Sequence, residues 1–497
     1  VKHAAEGISR PVPRILIKKW MEERDMAVER DITWNIRHFQ GALRCDRNFD
    51  VVYRVFRICG REACMFFVDG FAKDEIMEKL LEFFYGIQDE DLLRDAHTFS
   101  KSCVPYCEVA ISGEEDTIVG QILSGVWAVF VDGMDQCVLI DQRTYPQRTT
   151  SEPDQDKSFR GSRDGFVETM VFNAALIRRR IRSPRLCVEH LEVGETSRTD
   201  VAVCYFEGRA DPELVNTVRE RIAQARVDAL TMNQESLAEL LVRKRWYNPF
   251  PKFKFTERPD AAAAQILEGD VVVLVDNSPA AIILPTTLFD VMEEANDYYF
   301  PPITGSYLRL VRFFTTFLTT FLTPVWLLLI QEPERVPGWL EFILMEEPAQ
   351  VPPLLQLLIL ELAIDGLKLA ALNTPNILTT SFSMIGAIIL GDFAVQSGWF
   401  SAEVMLYMAV VAIANYNQPN LELGYALKFM RLILLVATGL LGLWGFVGGA
   451  ALLFLVLVSN RTISGQCYLY PLVPFNGGEL KKKLLRIGGG PPERKGA

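Results

Sequence analysis

The chain has 497 residues, 49% of them hydrophobic, with a formal net charge of −11 and a mean hydropathy of +0.15. The acidic balance excludes a general nucleic-acid binder, because phosphate contacts need clustered Lys and Arg that are not otherwise neutralised. The averages also conceal a charged first part of about 300 residues joined to an apolar second part.

Val1 to Trp20 is basic and proline-broken and lacks the apolar core of a secretory signal, so the first part is expected on the cytoplasmic side. Eight of the nine cysteines lie there without CxxC spacing and are expected to be reduced and mostly buried. The closest pair, Cys103 and Cys107, is not expected to serve metal or redox chemistry.

In chain order, Asp50 to Ile58 alternates as a half-buried strand does, and Ala63 to Val68 reads as a second strand ending at Asp69-Gly70. A helix is predicted from about Asp74 to Tyr85. Val126–Val131 and Cys137–Asp141 flank Asp132-Gly133, and Val271–Val275 and Ala280–Leu284 flank Asp276-Asn277. All three Asp-Gly or Asp-Asn pairs are expected to be hairpin turns without chemistry, since these residues tolerate positive φ.

Gly165 to Arg182 carries Phe166, Met170, Ala174 and Ile177 at helical spacing and stops at Ser183-Pro184. Its basic run, Arg178, Arg179, Arg180 and Arg182, reads as a solvated helix end. Val201 to Phe206 is a buried strand, and helices are expected from Asp211 to about Arg226 and from Ser236 to Arg245. The outcome is two α/β subdomains, 1–150 and 151–300, meeting within Gln147 to Gly161.

From 301 to 475 the pattern changes to a multi-pass α-helical membrane domain. Phe313 to Ile330 has no charge, Leu432 to Val458 is uncharged over about a bilayer thickness, and Asn376–Gln396 and Glu403–Asn417 are almost as apolar. Leu354 to Leu372 is apolar except for Glu361, Asp365 and Lys368, which i, i+4, i+7 spacing places on one helical face. Two readings stand: a polar stripe along a pore, or an internally neutralised Asp365–Lys368 pair holding helices together. Asp392, beside the small residues Gly386, Ala387, Gly391 and Ala394, marks a second candidate pore wall.

Arg309 and Arg312 favour a cytoplasmic start to the first span, Glu332, Glu334, Glu346 and Glu347 suit the outer side, and the basic tail 476–497 favours the inside. Both ends inside need an even number of crossings. Four crossings leave Leu354–Leu372 re-entrant or interfacial and strand Lys428 and Arg431 outside. Six crossings keep those two inside but split Leu432–Val458 near Gly445 to Gly449. Intramembrane acids lean toward cations as the permeant species.

Catalysis is not expected. His3, His38, His97 and His190 all precede residue 200, and neither HExxH nor a Walker A motif is present. The duplicated, interrupted halves of many secondary transporters are not seen either.

Several separated stretches carry a resemblance: Arg160, Gly161 and Glu168 in RGSRDGFVE; Asn173, Arg178, Arg179 and Arg180 in NAALIRRR; Thr256, Glu257, Arg258, Pro259 and Asp260 in TERPD; and the LVDNSP and DYY runs at 274–279 and 297–299. Together, over about 146–474, they resemble the GerA family of spore germinant receptor A subunits. Ser162 after Gly161, the ITGS run at 303–306 and the YNQP run at 416–419 look most like its SpoVAF branch. The resemblance implies a protein of the inner membrane of an endospore that assembles into an oligomeric ion channel during germination. Its implied partners are membrane lipid, further copies of the chain, other germination membrane proteins and inorganic ions. No cofactor, metal or catalytic residue is implied, and a non-conducting scaffold or a nutrient-sensing subunit remains open.

Overall fold

A computed structural model describes residues 28–106, 108–146, 162–242, 247–294, 296–345, 350–373 and 394–486. The chain forms two compact units. Among the described residues, the first takes in those from 28 to 241 and from 255 to 284, and the second takes in 242, 247–254 and those from 285 to 486. Thus 242–254 and 285–300, placed by the sequence reading in the second α/β subdomain, group with the helices instead.

The first unit is one pattern built twice. Its first half is α1 (Ile32–Leu43), β1 (Val51–Ile58), β2 (Arg61–Val68), α2 (Asp74–Tyr85), α3 (Ala96–Cys103), β3 (Val109–Ser112), α4 (Glu115–Leu123), β4 (Trp127–Val131) and β5 (Cys137–Ile140). Its second half is α5 (Met170–Arg180), β6 (Leu186–Val193), β7 (Thr199–Phe206), α6 (Pro212–Ala223), α7 (Asn233–Leu241), β8 (Lys254–Thr256), α8 (Pro259–Glu268), β9 (Val271–Val275) and β10 (Ala281–Leu284). The sheets share one strand order, β1-β2-β4-β5-β3 and β6-β7-β9-β10-β8.

The repeat extends to side chains. In each half a helical Asn closes a ring on the backbone six residues earlier. Asn35 accepts from Glu29 N and donates to Glu29 O; Asn173 does the same with Val167. In each half the hairpin Asp accepts from the first N–H of the leading helix, Ile32 N to Asp132 (3.3 Å) and Met170 N to Asp276 (3.0 Å). Those N–H groups have no partner inside their own helix, so the hairpin supplies the cap. Gly133 (φ +85°) and Asn277 (φ +61°) take the left-handed turn position. Asp69-Gly70 differs from expectation: it enters a 3-10 turn ahead of α2, and the β1–β2 hairpin turns at Cys59-Gly60 instead.

β2 shows why these strands read as continuous apolar runs. Cys64, Phe66 and Val68 pack toward α1 and α4, while Ala63, Met65 and Phe67 pack toward α2 and α3. Alternate side chains face opposite layers, so a strand covered on both faces needs apolar residues throughout. The described cysteines are unpaired. Burial pushes the Cys64 thiol up to about 12, which leaves it unreactive near neutral pH.

The second unit is helical: α9 (Leu288–Met292), α10 (Pro302–Gln331), α11 (Pro353–Asn373), α12 (Ala402–Tyr416), α13 (Leu421–Ser459) and α14 (Gly477–Leu484). Only α10 and α13, among the described residues, are long and apolar enough to cross a membrane. α13 is not straight. At Gly442 the backbone leaves the helical region (φ +59°, ψ −135°), and a Cβ on Gly449 would lie 2.6 Å from Leu434 Cδ1. Arms 421–441 and 443–459 therefore fold back on each other, a few residues before the split foreseen at Gly445 to Gly449.

The arms order the ends of this unit. At one end, hereafter the base, Leu423, Leu427, Leu453 and Tyr468 pack with Val291 and Phe313. At the far end, Trp326, Ile343, Leu357, Phe400, Val404 and Leu435 form a second core, and Gln331 donates to Gly439 O. α11 is a continuous 21-residue helix running from the far end toward the base. Asp392 and most of Asn376–Gln396 lie outside the described residues, as do Cys107, Glu346, Glu347 and 147–161.

Candidate functional site

Spacing on two helices creates the site. Glu361, Asp365 and Lys368 share one face of α11, and Lys428 and Arg431, three residues apart, share one face of α13. The two faces meet. Arg431 donates to Glu361 Oε1 from Nε (2.7 Å) and Nη2 (2.5 Å), and to Thr319 O of α10 from Nη1 (2.6 Å). Lys428 pairs with Glu361 Oε2 (3.2 Å) and with Asp365, and donates to Glu361 O (3.1 Å).

The Asp365–Lys368 pair weighed from the sequence is thus replaced. Asp365 bridges to Lys428 on another helix, and the Lys368 ammonium lies 4.5 Å from the Tyr416 ring centroid and 5.8 Å from that of Tyr425. With its amide turned to satisfy both neighbours, Asn415 donates to Gly424 O and accepts from Lys368 (3.3 Å). Between these groups is a cavity with room for about one water, lined by Glu361, Lys368, Asn415, Lys428, Arg431 and the apolar side chains of Ile364, Met408, Val411 and Ala412. Asp365 Oδ1, Thr319 Oγ1 and Thr323 Oγ1 are buried without a hydrogen-bond partner.

A second charged network sits at the base. Asp297, fully buried, receives Arg312 (2.8 and 3.1 Å) and Arg309 (3.3 Å). Arg309 also reaches Glu293 (2.8 Å), and Arg312 reaches Glu294 (2.6 Å). From the tail, Lys483 pairs with Asp290 and Glu293, and Arg486 donates to Asp297 O and Phe300 O. Burial alone would raise the Glu293 carboxyl, but Lys483, Lys254, Arg309 and the Tyr298 hydroxyl hold it down at about 2.

The motif residues of the first unit lock its fold. Arg178 is fully buried rather than solvated: it grips both oxygens of Asp50 (2.8 and 2.9 Å), donates to Asn48 (2.9 Å), and reaches the carbonyls of Ser183 and Leu186. Segment 47–50 passes along the β6 edge, so a cation there is enclosed between the two halves. Arg179 stacks on Tyr145, and Arg180 holds Asp164 and Ser162. Glu168 O accepts from Asn277 N, and Glu257 O accepts from Phe166 N. Thr256 caps Arg258 N, Arg258 forks onto Asp260, and Pro259 opens α8. Arg160 and Gly161 lie outside the described residues.

The profile of the Bacillus/Clostridium GerA spore germination protein matches residues 40–489. The chain belongs to the GerA family. Stage V sporulation protein AF of Bacillus subtilis is 38% identical over 94% of both chains. The membrane protein YfkQ of the same organism is 26% identical over 95% of this chain and 92% of its own. In the crystal, the N-terminal domain of the A subunit of the Bacillus megaterium spore germinant receptor GerK3 is 22% identical, with a TM-score of 0.40, covering 52% of this chain and 97% of that domain.

Sequence reasoning found the acidic and basic members of the cluster separately. Lys428 and Arg431 registered only as an obstacle to a four-crossing topology. The signal for their pairing was the matched spacing, i, i+4 for the acids and i, i+3 for the bases, on two apolar segments. A charge in hydrocarbon requires a partner or water.

Proposed function

We propose that this GerA-family protein is a subunit of an oligomeric ion channel that releases ions across the inner spore membrane during germination and amplifies the germinant response. The observation that carries this reading is the cluster itself. Four ionisable side chains, Glu361, Lys368, Lys428 and Arg431, line a water-sized cavity among apolar helix surfaces, with Asp365 paired to Lys428 beside it, a setting where an unshielded charge would cost on the order of several kcal/mol. Asp365 and Lys368, both only partly buried, are the members best placed to meet a permeating ion; Glu361 holds the two α13 cations in place. Asp392 stays a candidate on its sequence context alone.

The surface of the unit supports a bilayer setting. Phe314, Phe317, Leu440, Leu441 and Leu455 are exposed. Trp339 (76% exposed), Trp399 and Trp444 (81%) belong to the far end, and Tyr298 and Tyr307 to the base with Arg309, Arg312 and Lys483. Aromatic residues at two levels, with cations at one of them, match the interfacial belts and cytoplasmic side of a membrane protein. The fold-back at Gly442 returns the chain to the base and supports an even number of crossings, with head and tail both cytoplasmic.

The test is ion efflux from proteoliposomes containing the purified oligomer. Efflux above that of protein-free vesicles is expected; an intact oligomer that leaves the vesicles tight would favour the scaffold reading.

A further inference from the structure

Among the described residues, the charges of the bundle cluster do not balance. Facing one another are two carboxylates, Glu361 and Asp365, and three cations, Lys368, Lys428 and Arg431. Both carboxylates are taken up by Lys428 and Arg431, and among the described residues none lies within ion-pair distance of Lys368. Nearest its ammonium are two tyrosine rings and one amide oxygen, while Asp365, one turn back on the same helix, acts on it from beyond ion-pair distance. A surplus positive charge in an apolar setting is stabilised by a counter-anion.

The position of Lys368 indicates which anion. It lies toward the base end of α11, beside the exposed Tyr416 ring at the C-terminal end of α12 and beside Tyr425 near the start of α13. Lys with Tyr at that depth is the composition of a membrane–water interface, where a lysine extends its ammonium to the headgroups. From there toward the far end, Leu362 of α11 and Leu406 and Ile413 of α12 expose apolar side chains suited to acyl chains. Charge and apolar surface are thus arranged as in one amphiphile.

We propose that Lys368, Tyr416 and Tyr425 form a binding site for the headgroup of an anionic phospholipid in the leaflet at the base end of the helical unit, its acyl chains running along α11 and α12. This rests on the bundle lying in a bilayer and not on its conducting ions. The phosphate neutralises the surplus charge of the cluster, and the tyrosines flank it at the interface.

The test reads binding without conductance, by thermal unfolding of the full-length detergent-solubilised protein titrated with dioctanoyl phosphatidylglycerol, dioctanoyl phosphatidylcholine or inorganic phosphate. Phosphatidylglycerol should raise the Tm with a half-saturating concentration at least about tenfold below that of phosphatidylcholine. Lys368→Gln should weaken its effect by about tenfold or more, while Lys368→Arg keeps it, and Lys482→Gln, an exposed tail lysine, leaves it unchanged. Should Lys368→Gln not fold, Tyr416→Leu must show the weakening and Lys368→Arg the retention. Equal responses to the two lipids, an undiminished response in Lys368→Gln or Tyr416→Leu, or full reproduction of the effect by inorganic phosphate would each overturn the proposal, the last by exposing a free-anion site. Failure of vesicle efflux alone would leave this binding result standing.

Discussion

Two buried arginine–carboxylate clusters, one in each unit, differ in completeness. Arg178 in the head meets one acid, Asp50, and all its N–H groups find acceptors. Arg431 in the bundle shares Glu361 with Lys428 and stands near a third cation, and its neighbours Asp365 and Thr319 each carry a buried oxygen without a partner. A neutral, fully satisfied pair has no capacity left for a ligand and serves the fold. A cluster with surplus charge and open acceptors has capacity for water, an ion or a headgroup. The contrast separates a structural lock from a cluster open to a ligand, although by sequence Arg178 reads as part of a solvated helix end and Glu361 as part of a polar stripe.

The largest expected effect breaks the lock. Arg178→Ala or Asp50→Asn leaves a buried charge alone and should lower stability of the head by about 3–5 kcal/mol, read by denaturant unfolding of the full chain. Asp50→Leu with Arg178→Met should recover most of that loss; a single substitution costing nothing measurable would remove the lock from the account.

Next comes the bundle. Glu361→Gln weakens the anchor of two cations and should reduce Tm and the yield of folded oligomer more than Asp365→Asn, which is partly exposed and shares Lys428 with Glu361. The reverse order would place the anchor at Asp365.

The duplicated pattern gives a matched pair. Asn35→Ala and Asn173→Ala each delete two hydrogen bonds to equivalent backbone groups and should each cost about 1–3 kcal/mol, with similar values for both. Strongly unequal losses would show that the two halves no longer depend on the same device.

A further effect concerns pH. With the Glu293 carboxyl held at about 2 in the folded protein and ordinarily at 4.5, its stabilising contribution is complete above 4.5 and is lost as pH falls from 4.5 toward 2. Glu293→Gln should therefore flatten the acid limb of a Tm-against-pH curve in that window and leave its slope near neutrality unchanged.

Much of the head was legible because its strands are short apolar runs between turn residues. Val126–Val131, Cys137–Asp141, Val201–Phe206 and Val271–Val275 lie within a residue or two of β4, β5, β7 and β9. β6 was missed because Glu189, His190 and Glu192 interrupt its apolar run, and α1 because nothing preceding it marks a start except Asp31, its cap. The duplication is invisible at the level of composition: it rests on two asparagines and two aspartates whose partners are backbone atoms. In the bundle, the helical face of Glu361, Asp365 and Lys368 followed from periodicity, but its partners lie more than 60 residues away across another helix. The turn at Gly442 is equally silent, since one glycine among Gly439, Gly445, Gly448 and Gly449 carries the left-handed φ there.

The most direct test of the central claim, that the bundle cluster belongs to an ion path, is single-channel current in planar bilayers for the wild-type oligomer and for Asp365→Asn at matched oligomer content. The account predicts a discrete current in the wild type and an altered conductance or cation-to-anion selectivity in the variant, because a charge is removed while the shape is kept. No current above bare lipid, or identical conductance and selectivity in both, would contradict it.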